Sequence, residues 1–509
     1  MSRTTPWSAL LPIAMIGTDR QAAPLPRWPG EVGQLITEAA TPDAAASVLR
    51  TAAVLAVCGL AGGRGLPWPA PLPAPAPSDP LPPLSVGVLL ASAGWLFEDG
   101  PARLQHEFCL VLARAGLRLP PSLLPQALDA ARRSVALRPR LAPVLGERGA
   151  WLARLHDGWR FAAGVSGDPT EDAAWTDGSL DQRRAFLLAE RRADPAAARE
   201  RLAAALPELA ARERAELAGV LASSLTPEDE PLLEQLRSDR SREVRQVALG
   251  LLLRLPEAAH PRRAAARLEA LIGRKRGLLG SRWTLEAPEA AASDWKDDQV
   301  DAARPAHESL GERAWWLYQL VRQVPLSWWT GHTGLSAAEL RRWADDTDWS
   351  EALLRGWRDV LNATAPPEWC EAFLAHWPAR LWRDGPSAVL ALLPAPAREA
   401  HWLRQLKASN VALIDVLAEV LDAWPMGDAL SPTLSSVLAT ALRPRLQAGL
   451  LANDYRARSL LIDLCCALHP ETLAALAELP RTADETPGEA ETLNVVAQVI
   501  ALRRALHTL

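Results

Sequence analysis

The chain has 509 residues, 49% hydrophobic and 23% charged, which is the composition of a soluble globular protein too long for a single compact helical core. Its length suggests about three domains or one long repeat array. A net charge of −5 excludes any global electrostatic demand for nucleic acid or an anionic membrane. Lys275, Lys296 and Lys407 are the only lysines among 55 basic residues, a bias that fits a GC-rich coding genome better than an arginine-specific function. The cysteines (Cys58, Cys109, Cys370, Cys465 and Cys466) are few, scattered and odd in number. They imply no disulfide framework and a reducing compartment.

Residues 1–66 read as an irregular, proline-containing stretch followed by a helix from Ala44 to Leu60, ended by Gly59, Gly62, Gly63 and Gly65. The apolar patch Ala9–Ile16 is interrupted by Pro12 and lacks a small-residue cleavage pattern, so no signal peptide is expected. No apolar run reaches membrane-spanning length, and the expected location is cytoplasmic. Nine prolines in 67–83 hold the chain extended as a linker. Short helices are expected over 84–165, after which Gly164–Gly178 is irregular.

Residues 175–277 read as HEAT-like helix pairs. Asp194–Pro195 and Thr226–Pro227 mark turns with proline at the first helical turn. The clearest element runs from Ser241 to Leu255. Its apolar residues Val244, Val247, Ala248, Leu251, Leu252 and Leu255 follow the stripe of one helix face. Asp239 and Ser241 precede it as caps, and Pro256 stops it. A helix with one apolar stripe must stack on neighbours.

Residues 262–276 carry six bases and one acid, whereas 285–308 carry seven acids and two bases. The region 278–310 reads as an acidic loop or disordered insert beside a solvated helix end, the alternative being that the basic and acidic segments fold over each other. From 311 to 509 a tryptophan-rich helical repeat domain is expected. No alternating strand pattern is found. The expected fold class is all-α, an α-solenoid of HEAT-like stacked helix pairs in a right-handed superhelix, with an irregular N-terminal region and a Pro-rich linker.

Chemistry-bearing motifs are missing from the sequence. None of the three lysines follows a glycine, so there is no Walker A loop. His106–Glu107 and His307–Glu308 lack the second histidine of a zinc protease motif. Gly164–Val165–Ser166–Gly167 has the wrong spacing for a nucleophile elbow. Cys465, Cys466 and His469 supply at most three ligands where structural zinc takes four. Asp345–Asp348 lacks the glycine and terminal glutamate of a calcium loop. No catalytic residue, cofactor or metal is therefore expected.

Of the 21 tryptophans, 14 lie between Trp283 and Trp424. Most are expected to anchor stacked helices. In the doublet Trp315–Trp316, neighbours point about 100° apart, so one is core and the other an edge. Trp328–Trp329, in an expected loop from Pro325 to Gly334, is the leading exposed aromatic pair. Tryptophan and arginine are enriched at binding hot spots, so Trp328, Trp329, Trp315, Arg240, Arg242 and Arg245 are the candidate partner contacts. Arg245 has a structural alternative, a bridge to the preceding turn's aspartate.

The phrases Leu11–Pro12–Ile13–Ala14–Met15–Ile16–Gly17–Thr18–Asp19–Arg20, Asp239–Arg240–Ser241–Arg242–Glu243–Val244–Arg245 and Gly311–Glu312–Arg313–Ala314–Trp315–Trp316–Leu317 stand out together. With them the chain resembles an uncharacterised bacterial family of helical-repeat proteins across most of its length. That resemblance implies a setting beside a MoxR-type AAA+ ATPase, a von Willebrand factor A-domain protein and a SWIM zinc-finger protein. It implies no activity. The expected function is a non-catalytic scaffold or adaptor for protein partners, possible partners being the ATPase and the A-domain protein, with no membrane or nucleic acid. The alternative is a HEAT-like nucleic-acid binder or DNA glycosylase, favoured by the basic run 262–276 and the tryptophans but opposed by overall acidity.

Overall fold

The structure is a computed structural model. It describes every residue except 1–5, 20–24, 62–72, 86, 164–171, 278–279, 383–384, 409–411 and 478–485. The expected glycine stop at Gly62–Gly65, the first half of the Pro-rich stretch and the Gly164–Ser166 turn lie outside the described residues. Among the described residues there are 27 α-helices and one two-stranded hairpin, so the protein is all-α. The chain divides into two compact units, 1–75 and 76–509.

The first unit holds three helices, α1 (Pro6–Ile16), α2 (Gly30–Ala39) and α3 (Ala44–Ala61). Its small core is Leu10, Ile13, Ile36, Val48 and Leu55. Pro12 sits inside α1 without ending it. The α3 helix has 18 residues, a mean hydropathy of 1.8 and one charge, Arg50. It thereby meets the length and composition of a membrane span, against the expectation that no apolar run reaches that length.

The second unit begins with chain that is fastened down. Asp79 accepts from the Glu147 backbone N–H and pairs with Arg118, and Leu84 bonds the Arg118 carbonyl. Residues 79–83 of the expected linker are thus attached to this unit, with Leu84. Helices α4 (Gly87–Glu98) and α5 (Ala102–Arg114) follow. A separate core runs from Leu187 to Ala258 through Leu202, Leu217, Leu233, Val244 and Leu252. Within it, helix Arg242–Leu252 buries Val244, Ala248, Leu251 and Leu252 along the stripe its spacing dictates. Asp194 caps the helix starting at Pro195 by accepting from Ala196 and Ala197. At helix 242–252 the cap is Asp239, which accepts from Ser241 N at 2.7 Å, while the Ser241 side chain caps nothing.

The two ends of the second unit meet. The last helix, Pro487–Leu506, packs on α4 and α5. Arg503 and Glu107 form a buried bidentate pair at 2.6 and 2.7 Å, and Arg503 also donates to the Cys465 and Leu468 carbonyls. His507 adds a third contact to Glu107 at 2.8 Å. Arg103, one turn before Glu107, donates to the carbonyls of Leu421, Trp424 and Pro425. Gly427, at φ +85°, lies so close to α5 that a Cβ would stand 2.9 Å from Glu107 N.

Two expectations fail between 262 and 310. The basic run is not a solvated helix end. Helix Ala259–Glu269 gives way to an antiparallel hairpin, β1 (Ile272–Gly277) and β2 (Gly280–Leu285), in which Arg274 faces Trp283 and Lys275 faces Arg282. The acidic segment is not a loose insert either. It folds back on the basic helix, and Asp298, 2% exposed, is the centre of that docking.

Candidate interaction surfaces

Asp298 lies beside four cationic or titratable groups on two helices. The closest approaches are Arg267 at 2.6 Å, Arg263 at 3.0 Å, Arg237 at 3.2 Å and His260 at 3.3 Å. Burial alone would raise this carboxyl, but the hydrogen bonds from His260, Arg263 and Arg267 outweigh it and hold it far below the usual carboxylate range. Gln299, in the left-handed region at φ 58°, turns the chain so that its amide reaches the Arg237 carbonyl and Arg245. Opposite charges separated by about 30 residues thus become one packed joint.

That joint decides the fate of Arg245. It donates to Gln299 at 2.8 Å and to the carbonyls of Asp239 and Arg240 at 3.0 Å. The Asp239 carboxylate is taken instead by Arg214, bidentate at 2.9 Å. Arg245 is therefore structural. Arg240 and Arg242 are exposed.

The tryptophans separate just as clearly. Pro325 and Gly334 (φ 72°) bracket a helix, Leu326–Thr333, where a loop was expected. Helical geometry turns Trp329 inward, 0% exposed, into an edge-to-face run with Trp357 at 5.2 Å and on to Trp369 at 5.1 Å. Trp329 is thus a core anchor and not an exposed contact. Trp328 is half-buried and stacks on His332 at 4.7 Å, with Trp283 5.6 Å from the same imidazole. In the other doublet Trp316 is core, its indole donating to the Ala302 carbonyl, while Trp315 is half-buried against Tyr318. Arg355, over the Tyr318 ring, holds Glu308 bidentate at 2.7 and 2.9 Å, which lowers that carboxyl to about 2.

The hairpin was missed by sequence reading. Ile-Gly-Arg-Lys-Arg-Gly has no apolar alternation and is rich in residues strands avoid. Its foothold is Trp283, whose indole donates to the Thr333 carbonyl and whose carbonyl accepts from the Trp343 indole at 3.0 Å. The one available signal was a tryptophan following a Gly-flanked basic run. Arg274, Lys275, Arg276 and Arg282 are all exposed.

In the first unit, α1 and α3 pack together yet leave large apolar side chains in water. Met15 is 80% exposed, Leu49 71% and Leu60 84%, and Leu11, Ile16 and Val57 are also more than half exposed. Cys465 and Cys466 are the opposite case. Both are buried, and burial pushes the Cys465 thiol up to about 12. Among the described residues no group of three or more His, Cys, Asp or Glu side chains is gathered as a metal site.

These features define the class: an all-α protein with a closed helical second unit, a basic hairpin, and a three-helix unit with an apolar exterior. The chain belongs to DUF5691, a family of unknown function, whose model matches residues 9–509. No curated protein and no solved structure matches it.

Proposed function

We propose that the protein is a non-catalytic, cytoplasmic, HEAT-like helical scaffold or adaptor that holds protein partners, an AAA+ ATPase of the MoxR type and a von Willebrand factor A-domain protein being the expected ones. The observation that carries this reading is the apolar exterior of α1 and α3. Scattered exposed leucines are ordinary, but six large apolar side chains more than half exposed on two packed helices are what interaction surfaces present. The half-buried Trp328 and Trp315, with exposed Arg240 and Arg242, supply further contacts of the hot-spot type.

The test is affinity capture of the tagged protein from its host, with nuclease, alongside a Leu49→Ser/Leu60→Ser variant. Both side chains are exposed, so the variant keeps its thermal midpoint. Recovery of the ATPase or the A-domain protein by the parent and its loss in the variant supports the reading. Liposome flotation by the parent without partner recovery overturns it, because α3 would then be a membrane helix.

One observation favours the alternative of a nucleic-acid binder or DNA glycosylase: four exposed cations on the hairpin with no acid between them. That reading requires salt-dependent DNA retention that falls when Arg274 and Arg276 are replaced.

A further inference from the structure

The hairpin is costly for the fold to keep. Lys275 and Arg282 are cross-strand partners, and like charges set directly opposite destabilise a ladder. Gly273, Gly277 and Gly280 weaken it further, and a lone two-stranded hairpin is marginal in water. Arg282 has a distant partner in Asp346 at 3.7 Å, and Arg274 lies over the Trp283 ring at 5.1 Å. Among the described residues neither Lys275 nor Arg276 forms an ion pair. Protection of a bare edge needs a single charge. Here three stand in succession within a chain of net charge −5.

The backbone carries the second half of the argument. The Trp283 carbonyl accepts from the Trp343 indole, so it points away from β1. Antiparallel partners share that orientation, so Arg274, opposite Trp283, also turns its N–H and C=O away from β2. By the two-residue period Arg276 does the same. The outer edge of β2 is thus engaged by the Trp343 indole, whereas the outer edge of β1 meets no other backbone among the described residues. Arg274 and Arg276 share one face, about 6.7 Å apart, which is the spacing of alternate side chains on any added strand.

We propose that β1 is a docking edge for an extended acidic peptide segment of a protein partner, which adds as a third strand with alternate carboxylates beside Arg274 and Arg276. This rests on the scaffold reading and names what the scaffold grips. Peptide fits better than nucleic acid on two counts. An open strand edge offers hydrogen bonds that only a peptide backbone completes. The chain as a whole carries a net charge of −5, which opposes a polyanion.

The experiment uses the full chain and a fluorescein-labelled peptide of about ten residues alternating valine and glutamate, read by anisotropy. Three comparisons decide it. A peptide of the same sequence, N-methylated at every residue, keeps its charge but loses the backbone donors of both edges, whichever way the strand would run. The Arg274→Glu/Arg276→Glu variant breaks no ion pair but loses the Arg274 contact over Trp283, so its thermal midpoint and its trypsin sensitivity at the hairpin are measured alongside. A single-stranded thymidine oligonucleotide competes. The expected result is binding of the parent peptide, weakened about tenfold or more by N-methylation and by the charge reversal. Equal binding of the N-methylated peptide, tighter binding of the oligonucleotide, or no peptide binding each overturns the proposal. Partner recovery that still depends on Leu49 and Leu60 would, in that event, leave the scaffold reading standing.

Discussion

Asp298 shows what one buried carboxylate does when several cations are committed to it. Replacing it with alanine strands Arg267 and His260 in a site built for an anion. Breaking a buried ion pair from one side costs about 3–5 kcal/mol, and Asp298→Ala should lower urea stability by that order. Glu308 carries a pH signature instead. Arg355 holds its folded-state value at about 2, below the ordinary carboxylate value near 4.5. A depressed carboxylate stabilises the fold above its unfolded value, and that contribution disappears as pH falls from about 4.5 towards 2. Stability curves of Glu308→Gln should therefore converge with the parent over that window and differ most above it. The tryptophan doublet gives a third outcome. Trp329→Ala opens a cavity beneath Trp357 and should cost about 3–5 kcal/mol, against about 1 kcal/mol for half-buried Trp328, read by thermal unfolding.

At the scale of elements, the hairpin is held by its base. Trp283→Ala removes the indole's bond to the Thr333 carbonyl and its packing on His332, so β1 and β2 should open locally without global unfolding. Trypsin cleavage after Arg274, Lys275 and Arg276 should accelerate about tenfold while the helical circular dichroism is retained. The same stretch marks where sequence reading stopped. Helix 242–252 was legible because its stripe of Val244, Ala248, Leu251 and Leu252 is set by local spacing alone. The strands were not, because Gly273, Arg274 and Lys275 have no intrinsic preference for that state and are placed by a tryptophan contact 50 residues away. Nor was the helix around Trp328, since Ser327, Thr330 and Gly331 are weak helix formers that tertiary packing overrides. The charge complementarity of the basic and acidic segments was legible and allowed them to fold over each other, but composition favoured solvated segments because it does not show that Asp298 is buried between Arg263 and Arg267. Of the candidate contacts, exposure was legible for Arg240 and Arg242, whereas the roles of Arg245 and Trp329 depend on neighbours distant in sequence.

Across the whole second unit, the decisive fact is that its last helix is a neighbour of its first. In a nearest-neighbour repeat array, loss of a terminal helix removes one interface. Here the Pro487–Leu506 helix covers α4 and α5, and Arg503 neutralises Glu107 in a site neither group tolerates alone. Arg503→Met should cost about 3–5 kcal/mol, and Glu107→Gln combined with it should recover part of that loss, because the stranded charge is then removed. Denaturant unfolding of the single and double variants measures both.

The Glu107–Arg503 pair also has a temporal side. Its partners are 396 residues apart, so the acid leaves the ribosome long before the base has been synthesised. At ordinary elongation speeds the interval is about 20–80 s, during which the parts of α4 and α5 that the last helix covers stay open and Glu107 has no Arg503 beside it. Newborn chains of this protein are thus committed to waiting, and the period before their last helix arrives is when they depend most on chaperones and are easiest for a protease to destroy.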